Sequence, residues 1–293
     1  MANVPGKWQK KKEMSVWRRI SLNTWTTPDN ATIYGRLDVD VGRLQEYLKQ
    51  KTEESGVKCT ITHAVCRGMA LILRKYPDCN VLVRRRKIWL RRDVDIFLQV
   101  AMPIEGQEGK ADLSGAMIRR ADTKPVDQIS TELREKAQAI RKRKDGQMAK
   151  TRNTMMALPN FLLKLVLKII GWLSYTLNLK VPTTPRDPFG GAMVSAIGTL
   201  GLKMAYAPLV TFSHAPIVIL VGEVEDRPVV KDKEIVIRPI CTLTATMDHR
   251  VLDGFQGGLL AGEMKRILEN PELLDVNQGS TEPEPAAGSG ALT

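Results

Sequence analysis

Residues 234–247, EIVIRPICTLTATM, form one long β-prone run that TMDHRVLDGF (246–255) carries straight into FQGGLLAGEMKRILENP. The first run is rich in Ile, Val and Thr, as strands are. The second has helical character and stops at Asn270-Pro271. A second apolar run, APIVILVGEV, precedes them across the turn-like RPVVKDKE. Two strands passing directly into a helix commit this end of the chain to a sheet with a helix laid against it.

The rest of the chain keeps the same alternation. LDVDV (37–41) reads as the end of a strand, and VGRLQEYLKQKTEESG as a helix with Leu44, Tyr47 and Leu48 on one face and Gly56 as its stop. ITHAVCRGMALILRKYP (61–77) predicts a more apolar helix, with Val65, Met69, Ile72, Leu73 and Tyr76 at helical spacing and Pro77 at its end; His63 in its first turn reads as structural. NVLV, KIWLR and VDIFLQVAMP predict strands, with Arg84–Lys87 at a hairpin turn. Residues 105–115, polar and glycine-bearing, read as a loop. Pro125 marks a helix start, with Val126, Ile129, Leu133, Ala137 and Ile140 as its stripe. GGAMVSAIGTLG gives a further strand after a PTTPRDP linker. The expectation is one α/β domain over residues 13–275, flanked by a flexible basic arm (1–12) and a disordered tail (276–293) poor in hydrophobic residues.

A formal net charge of +12 comes largely from Lys10–Lys12, RRRKIWLRR (84–92) and RKRK (141–144). A hairpin and a helix C-terminus account for the last two clusters as solvated charge; they also leave room for an anionic partner. No nucleic-acid-binding signature accompanies them, so nucleic acid is not an expected partner. Cys59, Cys66, Cys79 and Cys241 have neither metal-site nor disulfide-framework spacing, so no metal is expected. The start of the chain has no secretory pattern, which makes the cytoplasm the expected location. Residues 155–180 are apolar but carry Lys164 and Lys168 on one helix face. Each lysine costs about 2.5–3.5 kcal/mol at a membrane centre, which argues against a span. An amphipathic helix packed on the domain or on a neighbouring subunit is the expectation; contact with a membrane surface is the less favoured reading.

His249 sits where the long strand meets the last helix, held by backbone on both sides, with Asp253 and Gly254 following. A histidine at such a junction suits general-base work. On these residues alone, a base and a structural histidine both stay open.

DHRVLDG resembles the active-site signature of the dihydrolipoamide acyltransferase catalytic domains of 2-oxoacid dehydrogenase complexes, which share a fold with chloramphenicol acetyltransferase. KCTITHAVCRGMALILRKYPDCN, RRDVDIFLQVAMP and PVVKDKEIVIRPICTLTATMDHRVLDG resemble further family stretches in the family's order. The resemblance implies a chloramphenicol acetyltransferase-like two-layer α/β fold, a mixed β-sheet with helices packed on one face. It implies that His249 takes the proton from a thiol attacking an acyl thioester and that Ser195, in AMVSAIG, donates to the oxyanion. Asp253 becomes a brace paired with Arg19 (or its neighbour Arg18), and Gly254 permits the turn. Coenzyme A or acyl-CoA is the implied substrate, with some of the positive charge available to its phosphates. The implied assembly is a homotrimer with His249 and Ser195 from neighbouring subunits, and a larger cage is a weaker expectation. Two departures stand out. No lipoyl lysine precedes the matching stretch, so a lipoylated partner arrives in trans; and residues 151–188 look inserted. Three function classes follow: transfer between coenzyme A and a thiol carrier, transfer to a small-molecule acceptor, and a non-enzymatic assembly reusing the fold.

Overall fold

The computed structural model describes residues 8–10, 31–103, 111–141, 187–210 and 213–276, with a few isolated positions between 166 and 173. The strands are β1 (Trp8–Lys10), β2 (Thr32–Asp40), β3 (Val81–Arg84), β4 (Lys87–Arg91), β5 (Ile96–Pro103), β6 (Ala111–Ile118), β7 (Ala192–Ala196), β8 (Ile217–Lys231) and β9 (Glu234–Asp248). The α-helices are α1 (Gly42–Ser55), α2 (Ile61–Lys75), α3 (Val126–Arg141) and α4 (Gly254–Glu269). Six strands form one sheet in the order β2-β9-β8-β7-β5-β6, and β1-β4-β3 form a small one. The β5–β7 and β7–β8 pairs are parallel and the other pairs antiparallel, so the large sheet is mixed.

Strand alternation sorts the core into two faces. Ile96, Leu98, Val194, Ile217, Ile219 and Leu243 pack with Leu44, Met69, Ile129 and Met264 of the four helices. Their neighbours Phe97, Met193, Val218 and Leu220 point the other way, onto Ile197, Leu209 and Ala215. The helices therefore cover one face, as expected. α2 lies deepest, buried from His63 to Leu73. It includes a fully buried guanidinium: Arg67 donates to the carbonyls of Leu274 (3.0 Å), Ala121 (3.3 Å), Asp122 and Val276 (3.2 Å). One side chain thus ties the end of the fold to its centre.

The expectations for these four helices hold; the amphipathic helix expected over 155–180 lies almost wholly outside the described residues. Gly56 ends α1 in the left-handed region at φ 66°, and Pro77 follows α2. His63 is structural: its Nδ1 accepts the Thr60 N–H (3.1 Å) in a reciprocal cap, and burial lowers its pKa to about 4. All four cysteines are buried, and no disulfide joins them.

Two loop expectations are corrected. Residues 111–115 belong to strand β6, which pairs with β5 from Ile96↔Ile118 to Pro103↔Ala111. The glycine there serves packing rather than a turn: a Cβ at Gly115 would fall 1.9 Å from the Phe97 ring. RPVVKDKE is likewise mostly strand, and only Asp232 and Lys233, with φ of 51° and 69°, make the turn. The 105–110 part of the first segment, the 1–12 arm apart from strand β1, nearly all of 151–186 and the tail beyond Val276 lie outside the described residues, as does Arg19. Among the described residues, no helix is long and apolar enough to cross a membrane.

Candidate active site

His249 follows the last residue of β9, and every peptide N–H from 248 to 252 is held. Asp248 N donates to Pro216 O (2.9 Å), His249 N to Ala31 O (2.6 Å), and Val251 N and Leu252 N both to Asp248 O (3.1 and 3.0 Å). Arg250 N donates to the Asp248 carboxylate (3.0 Å). On the ring, Nδ1 lies 2.8 Å from Leu252 O. A carbonyl only accepts, so Nδ1 carries the proton and Nε2 is the basic nitrogen of the neutral imidazole.

Asp253 is the N-cap of α4. Its carboxylate accepts from Phe255 N (3.0 Å) and Gln256 N (3.3 Å), and Gln256 Oε1 accepts from Asp253 N (3.0 Å). This reciprocal box anchors the helix start immediately after the histidine. Gly254 opens the helix without a positive φ, and no atom lies within 4 Å of where its Cβ would sit. The turn therefore makes no steric demand for glycine at 254.

Ser195 sits on β7, half-buried, and faces away from the helices, as its neighbour Val194 faces them. It pairs with Leu220, and Leu220 with Thr244. Two interstrand steps of about 4.8 Å and the residues from 244 to 249 at about 3.3 Å each put roughly 19 Å between the Ser195 and His249 α-carbons of one chain. One chain does not bring them together. Beside Ser195, Ala196, Gly198 and Thr199 line an open groove of about 770 Å³ running to Lys49, Lys58 and Thr60, a volume in the range of cofactor clefts.

Asp248 and Arg250 flank His249, although neither stands out in the motif as a site residue. Arg250 Nε and Nη2 grip the Asp248 carboxylate at 2.9–3.1 and 2.6 Å, with both side chains largely buried. The signal was the polar alternation in CTLTATMD: Thr242, Thr244, Thr246 and Asp248 are all buried on the side of β9 away from the helices. A polar stripe on a buried strand marks groups with partners to meet.

Residues 9–156 and 183–276 match the family of 2-oxoacid dehydrogenases acyltransferase (catalytic domain). The chain belongs to this acyltransferase family. It is 29% identical over 215 residues to the dihydrolipoyllysine-residue acetyltransferase component of the pyruvate dehydrogenase complex of Rhizobium meliloti, covering 73% of this chain and 38% of that one. With the Staphylococcus aureus component it is 26% identical over 260 residues, 87% and 50% of the two chains. The chain thus spans half or less of the length of these relatives. Among solved structures, the cubic core of a pyruvate dehydrogenase complex superposes with a TM-score of 0.64 at 18% identity, over 86% of this chain and 85% of that one. An Azotobacter vinelandii dihydrolipoamide acetyltransferase gives 0.64 at 19% identity, over 88% of each. The two-layer fold is shared with both.

Proposed function

We propose that this protein moves an acyl group between coenzyme A and a thiol carrier such as dihydrolipoamide. His249 acts as general base, Ser195 as oxyanion donor and Asp253 as a brace. The observation that carries this reading is the Nδ1–H···O bond to Leu252, which leaves Nε2 as the proton acceptor. Nε2 takes the acceptor thiol's proton, and the thiolate adds to the thioester carbonyl. The Ser195 hydroxyl donates to the oxygen that becomes negative. Collapse then expels the coenzyme A thiolate, which takes the proton back from the imidazolium. Charge and atoms balance, and the exchange of one thioester for another needs no external driving force.

The separation of about 19 Å within one chain supports a site built by two subunits, a homotrimer contributing His249 from one and Ser195 from the next. In the Azotobacter vinelandii acetyltransferase, roles in the catalytic mechanism were investigated for a serine, a histidine and an asparagine. The same first two residue types carry the reading here. A lipoylated protein is the proposed acyl partner, since the relatives are named for a dihydrolipoyl-lysine residue. The test is a panel of acyl-CoAs with and without dihydrolipoamide, read chromatographically as release of free coenzyme A and formation of the acylated acceptor, because thioester exchange leaves the total thiol unchanged. Acceptor-dependent release that His249→Ala abolishes is expected. Full activity in that variant would refute the mechanism, and release with small-molecule acceptors alone would replace the carrier.

A further inference from the structure

Behind His249 lies a chain of buried charges that the acyl-transfer steps do not use. Arg250 and Asp248 form its near end through a two-pronged contact. Asp248 N reaches Pro216 O (2.9 Å), two residues beyond His214, and Arg91 Nη2 donates to His214 O (3.3 Å). Arg91 in turn grips Asp187 with Nε and Nη2 at 2.7 and 3.2 Å and donates to Val81 O; both side chains are almost wholly buried. His214, at φ 54°, lies within electrostatic reach of both arginines. Burial, then the nearby Arg91 and Arg250, lower its pKa to about 4, so it is uncharged at neutral pH. The charged groups from the surrounding elements are therefore Arg91 of β4, Asp187 ahead of β7, Arg250 and Asp248 on the histidine loop, and Asp253 at the start of α4. The four behind the loop form two neutral pairs.

We propose that the Asp248–Arg250 pair is a positioning device for His249, pinning the backbone on both sides of the imidazole and keeping the charge behind it balanced. This inference rests on His249 being the base. The pair contributes in two ways. Its geometry fastens residue 248 to residue 250, so the intervening residue inherits a fixed backbone and the Nδ1–H bond to Leu252 stays in register. Its neutrality matters because a buried charge is weakly screened. An unpaired carboxylate next to the ring would favour imidazolium, and an unpaired guanidinium would oppose it. Either change would alter how much of the base is available near neutral pH.

The two halves of the pair thus make opposite predictions, which a merely structural contact would not. Removing the cation in Arg250→Met should move the acid limb of the kcat/KM pH profile up by about one pH unit, and removing the anion in Asp248→Asn should move it down by about as much. The double variant Asp248→Asn/Arg250→Met should return the midpoint to that of the parent. Arg250→Lys keeps the charge but loses the fork; it should hold the midpoint while lowering kcat several-fold. Imidazole NMR titration gives a readout independent of turnover, since the chain has only 3 histidines and His249→Ala assigns the relevant signal. Circular dichroism melting checks the fold of each variant, and Asp248→Asn, which preserves shape and the acceptor for Arg250 N, is the variant expected to remain folded. Shifts of the same sign, or none, in the folded single variants would overturn the proposal while leaving the base assignment standing. Retained activity in His249→Ala would instead remove the reading beneath it.

Discussion

At the scale of single residues, the site divides chemistry from support. His249→Ala should lower kcat by about 10²–10⁴-fold, the usual contribution of a positioned base. Ser195→Ala should lower kcat by about 10²–10³-fold with little change in KM for acyl-CoA, because an oxyanion donor acts on the transition state. Equal losses in kcat and affinity would make Ser195 a binding residue instead. The other two histidines contribute to how stability depends on pH. Burial lowers both His63 and His214 to about 4, below the unfolded value of 6.5. Between those values the unfolded chain binds more protons, so stability present above pH 6.5 is lost as the pH falls toward 4. The Asp38 carboxylate does not share that window. Burial would raise Asp38, but hydrogen bonds from Thr242, Arg36 and Arg227 outweigh it and hold the group at about 2, so its contribution is lost only below pH 3.8. Melting curves should therefore shift down from pH 6.5 to pH 4, and His214→Gln should flatten that slope. A slope unchanged in that variant would assign the loss elsewhere.

At the scale of elements, the β3–β4 hairpin carries a cost that can be removed. Its turn places Arg85 and Arg86 at φ 49° and 57°, a left-handed geometry that costs a residue bearing a Cβ about 1–2 kcal/mol. Replacing the pair with Asn-Gly should raise the melting temperature by a few degrees, a change of about 1 kcal/mol or more. An unchanged or lower melting temperature would mean that the arginines gain as much from neighbours as the turn costs. The same hairpin shows what was legible in the sequence. Its strands and its turn position followed from KIWLR and the arginine run, because β-prone residues and a two-residue connection are local properties. The four helices among the described residues followed from periodicity and stop signals for the same reason. The β6 strand did not, because Gly115 answers to the Phe97 ring across the sheet rather than to its own neighbours. The ribbon in RPVVK did not either, since alternating exposed residues resemble a turn until their partners in β9 are known. At the site, the motif made His249 legible, while Asp248 was marked only by the polar alternation along β9 and Arg250 looked like ordinary surface charge. Their importance arises only once β9 is buried.

At the scale of the whole molecule, the separation of Ser195 from His249 and an exposed ribbon point to the same assembly. β2 stops pairing at Asp40↔Ile240 and β7 at Ala196↔Val221, so β8 and β9 run on together as a two-stranded ribbon. Val230 pairs with Ile235 and Pro228 with Ile237, two positions along, which puts all four on one face. Val230, Ile235 and Ile237 are 76%, 78% and 74% exposed, an apolar face suited to a second copy of the chain. Ile235→Lys with Ile237→Glu should reduce the solution mass of the proposed trimer to that of a monomer and remove activity without altering circular dichroism. A trimer that survives both changes would clear the ribbon of a contact role. Subunit mixing then tests the site itself. If His249 and Ser195 belonged to one chain's site, a mixture of His249→Ala and Ser195→Ala subunits would stay inactive in any arrangement. If they come from neighbours around a ring, each mixed trimer contains one intact site, where a chain with its histidine adjoins a chain with its serine. Random reassembly of equal amounts makes about three quarters of the trimers mixed, so about a quarter of parental activity should return. Recovery must require denaturation and refolding together, since exchange of whole trimers creates no new neighbours. Absence of recovery after proven mixing would place the oxyanion donor on the same chain as the base, and would exclude Ser195 from that role at the distance its strand imposes.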